Sequence, residues 1–167
     1  MGAERSGHAE RSDRAIAAVV AAGIAHTVTH IGPVRSLEEA AAARGIEPRD
    51  IVKTLVVRRG EDDFLFVLVP GDREISWPKL RELLGVKRLS MPDAQTAKDA
   101  TGYERGTITP FGSSRAWPVV ADDTVAGRAI SLGGGADGVA LTVDGSDVIQ
   151  ALGARVADVT DPRASGS

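Results

Sequence analysis

The chain contains no cysteine, which removes disulfides, thiolate metal sites and a cysteine nucleophile at a stroke. Aromatic residues make up only 4% of its 167 residues, so base-stacking platforms are scarce. Trp77 and Trp117 read as core or rim packing rather than as stacking surfaces. No apolar run approaches the roughly 18 to 20 residues that a membrane span needs. The first dozen residues are small, polar and charged, without the apolar stretch of a signal peptide, and a cytoplasmic protein is expected. Positive charge is not in excess either. The formal net charge of −3 argues against a protein that coats nucleic acid through a broad basic surface.

Further absences concern motifs. There is no Gly-Lys-Ser/Thr phosphate loop, and Gly133-Gly134-Gly135 does not open a helix as a dinucleotide fingerprint would. No HExxH or Cys/His cluster occurs, and His26 and His30, four apart on a strand, stand about 13 Å apart. No metal site and no cofactor are expected. Ser113-Ser114 lacks a GxSxG elbow, which disfavours a serine hydrolase. His8 lies in the polar N-terminal stretch and is assigned no role.

What remains has the composition of one soluble domain. Hydrophobic residues reach 43% and charged residues 26%, ordinary values for a globular core of this size. Residues 1–11 and 162–167 read as disordered tails around a domain at 12–161. Charge is unevenly spread along that domain. From Ile51 to Arg88 there are eight Lys/Arg against six Asp/Glu, whereas Val119 to Pro162 holds two against seven. An anionic partner should therefore meet the middle of the chain.

Local signals give the element order. A helix is expected from Ser12 or Asp13 to about Ala22, closed by Gly23. A strand at 25–31 ends at Gly32-Pro33. Ser36-Leu37-Glu38-Glu39 is a capping box that opens a short Ala-rich helix ending at Gly45. Strands 52–58 and 64–69, apolar on both faces, are covered on each side, with Gly60 to Asp63 turning between them. Ser76-Trp77-Pro78 starts a helix to about Leu84, and Pro92-Asp93 starts another that ends before Gly102. Strands at 117–121, 128–132 and 138–143, a helix capped by Asp144 or Ser146, and a strand at 155–159 complete the chain. Without a regular βαβ rhythm, the expectation is a mixed α/β fold with a curved central sheet.

Three segments can carry chemistry. Lys53 heads the run 51–57, IVKTLVV, on one strand face with Leu55 and Val57. At the edge of a low-dielectric interior its ammonium could clamp a phosphate or ribose, or meet developing negative charge. Taken alone, its position better suits a lysine that lays its stem on apolar surface and keeps its head in water. Residues 102–112 carry three glycines and a proline, a loop with free backbone N–H groups suited to an oxyanion or to plain connection. Gly133 to Gly135 permit close approach of backbone or ligand.

In combination, these segments resemble a known family. IVKTLVV, the VPGD turn at 69–72, TGYERGTITPFG at 101–112, GGGADGVALTV at 133–143 and DVIQALGARVADV at 147–159 are similar in order and spacing to YbaK / prolyl-tRNA-synthetase-associated editing domains. The resemblance implies a barrel-like curved β-sheet flanked by helices, and a free-standing hydrolase that cleaves the ester of a mischarged tRNA. It implies catalytic roles for Lys53 at the acceptor end and for Gly106 at the aminoacyl carbonyl. Thr107, Ile108, Thr109, Pro110 and Gly112 belong to the same implied loop, with Gly133 and Gly134 beside it and Thr54 and His30 lining or bordering the pocket. Partners implied are the aminoacylated tRNA end and a synthetase. One departure stands out: Ala136-Asp137 occupy positions where the family often has basic residues. Arg58, Arg73 or Arg115 could then grip the tRNA instead. A binding module of the same fold without activity is the competing expectation.

Overall fold

The computed structural model describes residues 2–163; residue 1 and residues 164–167, the far ends of the two expected tails, lie outside it. The first helix, α1, spans Gly2–Ala21, ten residues longer at its start than the capping signal at Ser12 suggests. Residues 3–11 are rich in Ala, Glu and Arg, which sustain a helix. Ser12 is buried in mid-helix, and its hydroxyl donates to the Ala9 carbonyl (3.1 Å) instead of capping. Ser12, Ala15 and Val19 form the buried stripe of α1, at helical spacing.

Three sheets follow. Strand β1 (His26–His30) pairs antiparallel with β7 (Val139–Asp144), which pairs antiparallel with β6 (Ala129–Gly133). The second sheet runs β2 (Val52–Gly60), β3 (Asp63–Pro70), β5 (Val119–Asp122), β8 (Arg155–Ala157). β2 and β3 form the expected hairpin, turning through Glu61 and Asp62, while β3–β5 and β5–β8 are parallel. Two strands of three residues each, β4 (Arg73–Ile75) and β9 (Thr160–Pro162), form a separate antiparallel pair. Neither has a sequence signature, and the expected strand at 155–159 is divided between β8 and the approach to β9.

β3 is buried from Phe64 through Pro70, because both faces of its sheet are covered. Phe64, Phe66 and Leu68 join the main core with Ala15, Val19 and the β6–β7 residues. Leu65, Val67 and Val69 face a second cluster with Leu80 and Val159. Trp117 packs edge-to-face on Phe64 (5.2 Å) and donates its indole N–H to the Ala100 carbonyl, in keeping with a packing role.

The helices α2 (Leu37–Arg44), α3 (Trp77–Leu84), α4 (Ala94–Thr101) and α5 (Gly145–Leu152) begin at side-chain caps Ser36, Ser76, Asp93 and Asp144. Each ends at a left-handed glycine. No helix among the described residues is long and apolar enough to cross a membrane.

The fold is mixed α/β as expected, but the barrel-like sheet is not found: no closed barrel forms among the described residues. Ile51, just before β2, makes a single parallel bridge to Ser131 of β6, and no ladder continues from it. Beyond the bridge a cavity lined by Lys53, Gly133 and Ile108 stands beside the two strands, and a Cβ on Gly133 would meet the carbonyls of Thr107 and Ile108.

Candidate functional site

β2 is the edge strand of its sheet, and a cavity of about 300 Å³ lies along that edge. The strand is clipped at both ends of the opening. At one end stands the Ile51–Ser131 bridge; at the other, Arg58 N–H donates to Ser90 O (2.7 Å) and Ser90 N–H to Arg58 O (3.1 Å). Antiparallel ladders alternate inward- and outward-pointing main-chain groups. Since Arg58 points outward, so do the N–H and C=O groups of Val56 and Thr54, into the cavity.

The entry to β2 is set by the turn at Gly71. Its N–H donates to Ile51 O at 2.6 Å, and a Cβ there would stand 2.5 Å from the Pro48 carbonyl. Only glycine lets the VPGD turn press on the segment that starts β2.

Five of the residues singled out from sequence line the cavity: Lys53, Thr54, Gly106, Ile108 and Gly133. Val52, Val56, Ala97, Met91 and Pro92 supply apolar wall. Burial lowers the Lys53 pKa from the ordinary lysine value; the Arg163 guanidinium pushes the same way and the Glu74 carboxylate opposes it. The Thr54 hydroxyl is buried and finds no hydrogen-bond partner among the described residues. Gly106, with φ of 90°, has open space around it.

The other expected positions stand behind this surface. Thr107 Oγ1 donates to the Glu104 carbonyl (2.6 Å), and Thr109 Oγ1 accepts from Phe111 N–H (3.3 Å), bracing the loop. The Pro110 carbonyl accepts from Ser113 N–H. Gly112 is a close-packing position, where a Cβ would lie 2.7 Å from Tyr103 Oη and 2.8 Å from the Arg14 carbonyl. Gly134 donates to Val139 O (2.8 Å), and His30 pairs with Val139 across β1–β7. None of these six is part of the cavity wall. Of the alternative cations, Arg73 and Arg115 form ion pairs with Asp122 and Asp62.

Sequence reasoning missed Arg44. It occupies the last turn of α2, where a basic residue usually just complements the helix dipole. Here it lines the cavity and donates from Nη1 to Ser131 Oγ (2.8 Å), while its buried Nε has no partner. Burial lowers its pKa. Arg105 is the third cation of the wall, and among the described residues no aspartate or glutamate lines it. A largely apolar pocket with three cations and no carboxylate suits an anionic ligand with an apolar or aromatic body.

The likeness to known proteins agrees with this chemistry. A 38% identity over 89 residues links the chain to a proline–tRNA ligase of Thermosipho africanus, covering 53% of this chain but 16% of that enzyme. A protein of Enterococcus faecalis, EbsC, provisionally named a Cys-tRNA(Pro)/Cys-tRNA(Cys) deacylase, is 27% identical over 75% of this chain and 77% of its own. A crystal structure provisionally described as a trans-editing enzyme for prolyl tRNA synthetase superposes with a TM-score of 0.83 at 26% identity, covering 90% of this chain and 97% of that one. The family profile of the aminoacyl-tRNA editing domain matches residues 32–151, which contain every cavity-lining residue; this chain belongs to the aminoacyl-tRNA editing domain family.

Proposed function

We propose that the protein is an aminoacyl-tRNA deacylase, acting in trans on the ester between a small wrong amino acid and the 3′ end of a tRNA. Cysteine on tRNA(Pro) is the foremost candidate, after the naming of EbsC. The observation that carries the reading is the cavity itself: Arg44, Lys53 and Arg105 on an apolar wall without a carboxylate. At about 300 Å³ it lies at the small end of ligand pockets, fitting a small aminoacyl group with part of a nucleoside.

In this reading Lys53 and Arg44 hold the terminal adenosine through its phosphate or ribose. The carbonyl lies against the exposed backbone at Gly106, whose N–H takes the charge of the tetrahedral intermediate. Thr54, with a free hydroxyl and outward main-chain groups, orients the aminoacyl end. With no carboxylate in the wall to act as base, deprotonation falls to the substrate: its ribose hydroxyl assists a water that displaces the ribose oxygen, or the cysteinyl thiol attacks its own carbonyl. In the second course the ester C–O bond breaks, the ribose oxygen leaves with the thiol proton, and water opens the resulting thiolactone. The protein's contribution is then orientation and charge stabilisation.

The test is a deacylation panel with tRNAs charged with Cys, Ala, Ser and Pro, for wild type and Lys53→Ala. Wild type should release one small amino acid, and Lys53→Ala should lose about 10²–10³-fold in rate with an unchanged melting temperature. Full turnover by folded Lys53→Ala would remove Lys53 from the mechanism. Survival of every ester would favour the second reading, a binding module for tRNA ends, for which Ala136-Asp137 in place of basic residues is the motivating observation.

A further inference from the structure

A second concavity, of about 690 Å³, opens where β2 leaves the cavity. Its walls come from the end of β2 (Arg58, Arg59), from Arg81 in the last turn of α3, and from Lys87 to Ser90. The left-handed Gly85 (φ 66°) ends α3 and turns the chain back, so that Lys87 and Arg88 arrive beside Arg58, held there by the paired Arg58–Ser90 hydrogen bonds.

Five cations meet here against one acid, Glu61. Arg59 is neutralised by Asp63 (3.1 Å). Arg58 spends its Nε on the Gly60 carbonyl. Arg58, Arg81, Lys87 and Arg88 have no carboxylate within ion-pair distance among the described residues. A chain with net charge −3 has acids to spare for such a cluster, yet they pair elsewhere, with Lys79, Lys98, Arg115 and Arg128. Self-repelling cations collected in one groove suit a polyanion.

The groove and the cavity lie side by side along β2, with the Arg58–Ser90 pair between them. Ser90 lines the first, Met91 and Pro92 the second, and β2 runs through both, from Thr54 to Arg58. Four strand residues span about 13 Å, roughly the length of four stacked nucleotides at about 3.4 Å each. We propose that this groove binds the phosphodiester backbone of an RNA strand some four nucleotides upstream of the 3′ end that the cavity receives. The inference rests on the deacylase reading for its direction along the strand, and it replaces the basic pair absent at Ala136-Asp137 with cations from a different part of the fold.

The test uses the full chain and the double variant K87Q/R88Q, with R35Q/R155Q as a control of equal charge change outside the groove. Binding of uncharged tRNA(Pro) is measured across salt concentration. K87Q/R88Q should weaken binding about tenfold and lower the slope of log K against log salt by about 1.5, from roughly 0.7–0.9 per lost phosphate contact; the control should change neither. The ratio of kcat/KM for cysteinyl-tRNA to that for cysteinyl-adenosine should fall about tenfold as well. Unchanged affinity and slope in K87Q/R88Q would overturn the groove while leaving the deacylase reading intact. Wild type that binds tRNA through the groove but cleaves neither ester would sustain the groove and sink the deacylase reading. If K87Q/R88Q altered only the binding of added prolyl-tRNA synthetase, the groove would be a protein contact and the proposal would fail.

Discussion

The two sides of the four-stranded sheet treat buried polar groups in opposite ways. Around β5 and β8, Asp122 is completely buried and fully engaged: it accepts from Val159 N–H (3.1 Å) and Thr124 N–H (3.3 Å), takes the Thr124 hydroxyl, and faces Arg73 at 3.9 Å. Arg73 in turn donates to Thr160 Oγ1 and O, tying β4 to β9. Along β2, by contrast, the Thr54 hydroxyl and Arg44 Nε are buried without partners, and among the described residues no carboxylate forms an ion pair with Lys53, Arg44 or Arg105. Burying polar groups unpaired costs stability. One side of the sheet is therefore built for rigidity, and the other keeps hydrogen-bonding capacity in reserve for a ligand.

Substitutions on the two sides should separate stability from activity. Asp122→Ala leaves Thr124 and the Val159 N–H unanswered in a dry site and takes from Arg73 its carboxylate, at a cost of about 3 kcal/mol. For a domain of this size that is a fall in melting temperature of roughly 6–12 °C, read by calorimetry; a loss under 1 °C would erase the contrast. Arg44→Gln should leave the melting temperature unchanged or higher, because it removes a half-buried charge with no counter-ion, while KM for the charged tRNA rises about tenfold or more. Thr54→Val exchanges an unpartnered hydroxyl for a methyl of the same shape. It should be neutral or slightly stabilising, by up to about 1 kcal/mol, and slow deacylation several-fold. A destabilised Thr54→Val would mean that the hydroxyl is paired within the protein.

The subtlest effect is on pH dependence. Burial and Arg163 lower the Lys53 pKa, and Glu74 raises it. If charged Lys53 is required, activity is full below that lowered pKa and is lost as pH rises through it. The alkaline limb should therefore fall below the ordinary lysine range. Arg163→Gln should move that limb to higher pH and Glu74→Gln to lower pH. Identical limbs in the three proteins would disconnect Lys53 from this pair.

Much of the framework was legible because it depends on local rules. Ser36, Ser76 and Asp93 cap the helices they were expected to cap, Asp144 rather than Ser146 caps α5, and the doubly apolar runs became β2 and the buried β3. At Ser36 the box is not closed, because the Glu39 carboxylate accepts from Arg35 N–H. Pairings between distant segments were not legible. β4 and β9 have three residues each, too few for a period, and β1 joins β7 over a hundred residues away. The site was half visible. Lys53, Thr54 and Gly106 were marked by the family resemblance, but Arg44 reaches the cavity only because α2 packs on Ile51, which its Ala-rich sequence does not announce. Gly112 and Gly134 look like ligand-facing glycines in a motif, whereas space around their Cα atoms is taken by Tyr103, Arg14 and Val139.

The unpaired margin of β2 also bears on solubility. An uncovered strand edge is the usual template on which a second chain adds itself and aggregation begins. Here the bridges at Ile51 and Arg58 bracket the exposed stretch and hold it to the residues from Val52 to Val57, the short end of the six or seven that stacking segments typically need. The clips that frame the binding cavity thus also guard it against self-association. Loosening the Ser90 clip should make the protein prone to aggregate before it makes it unfold.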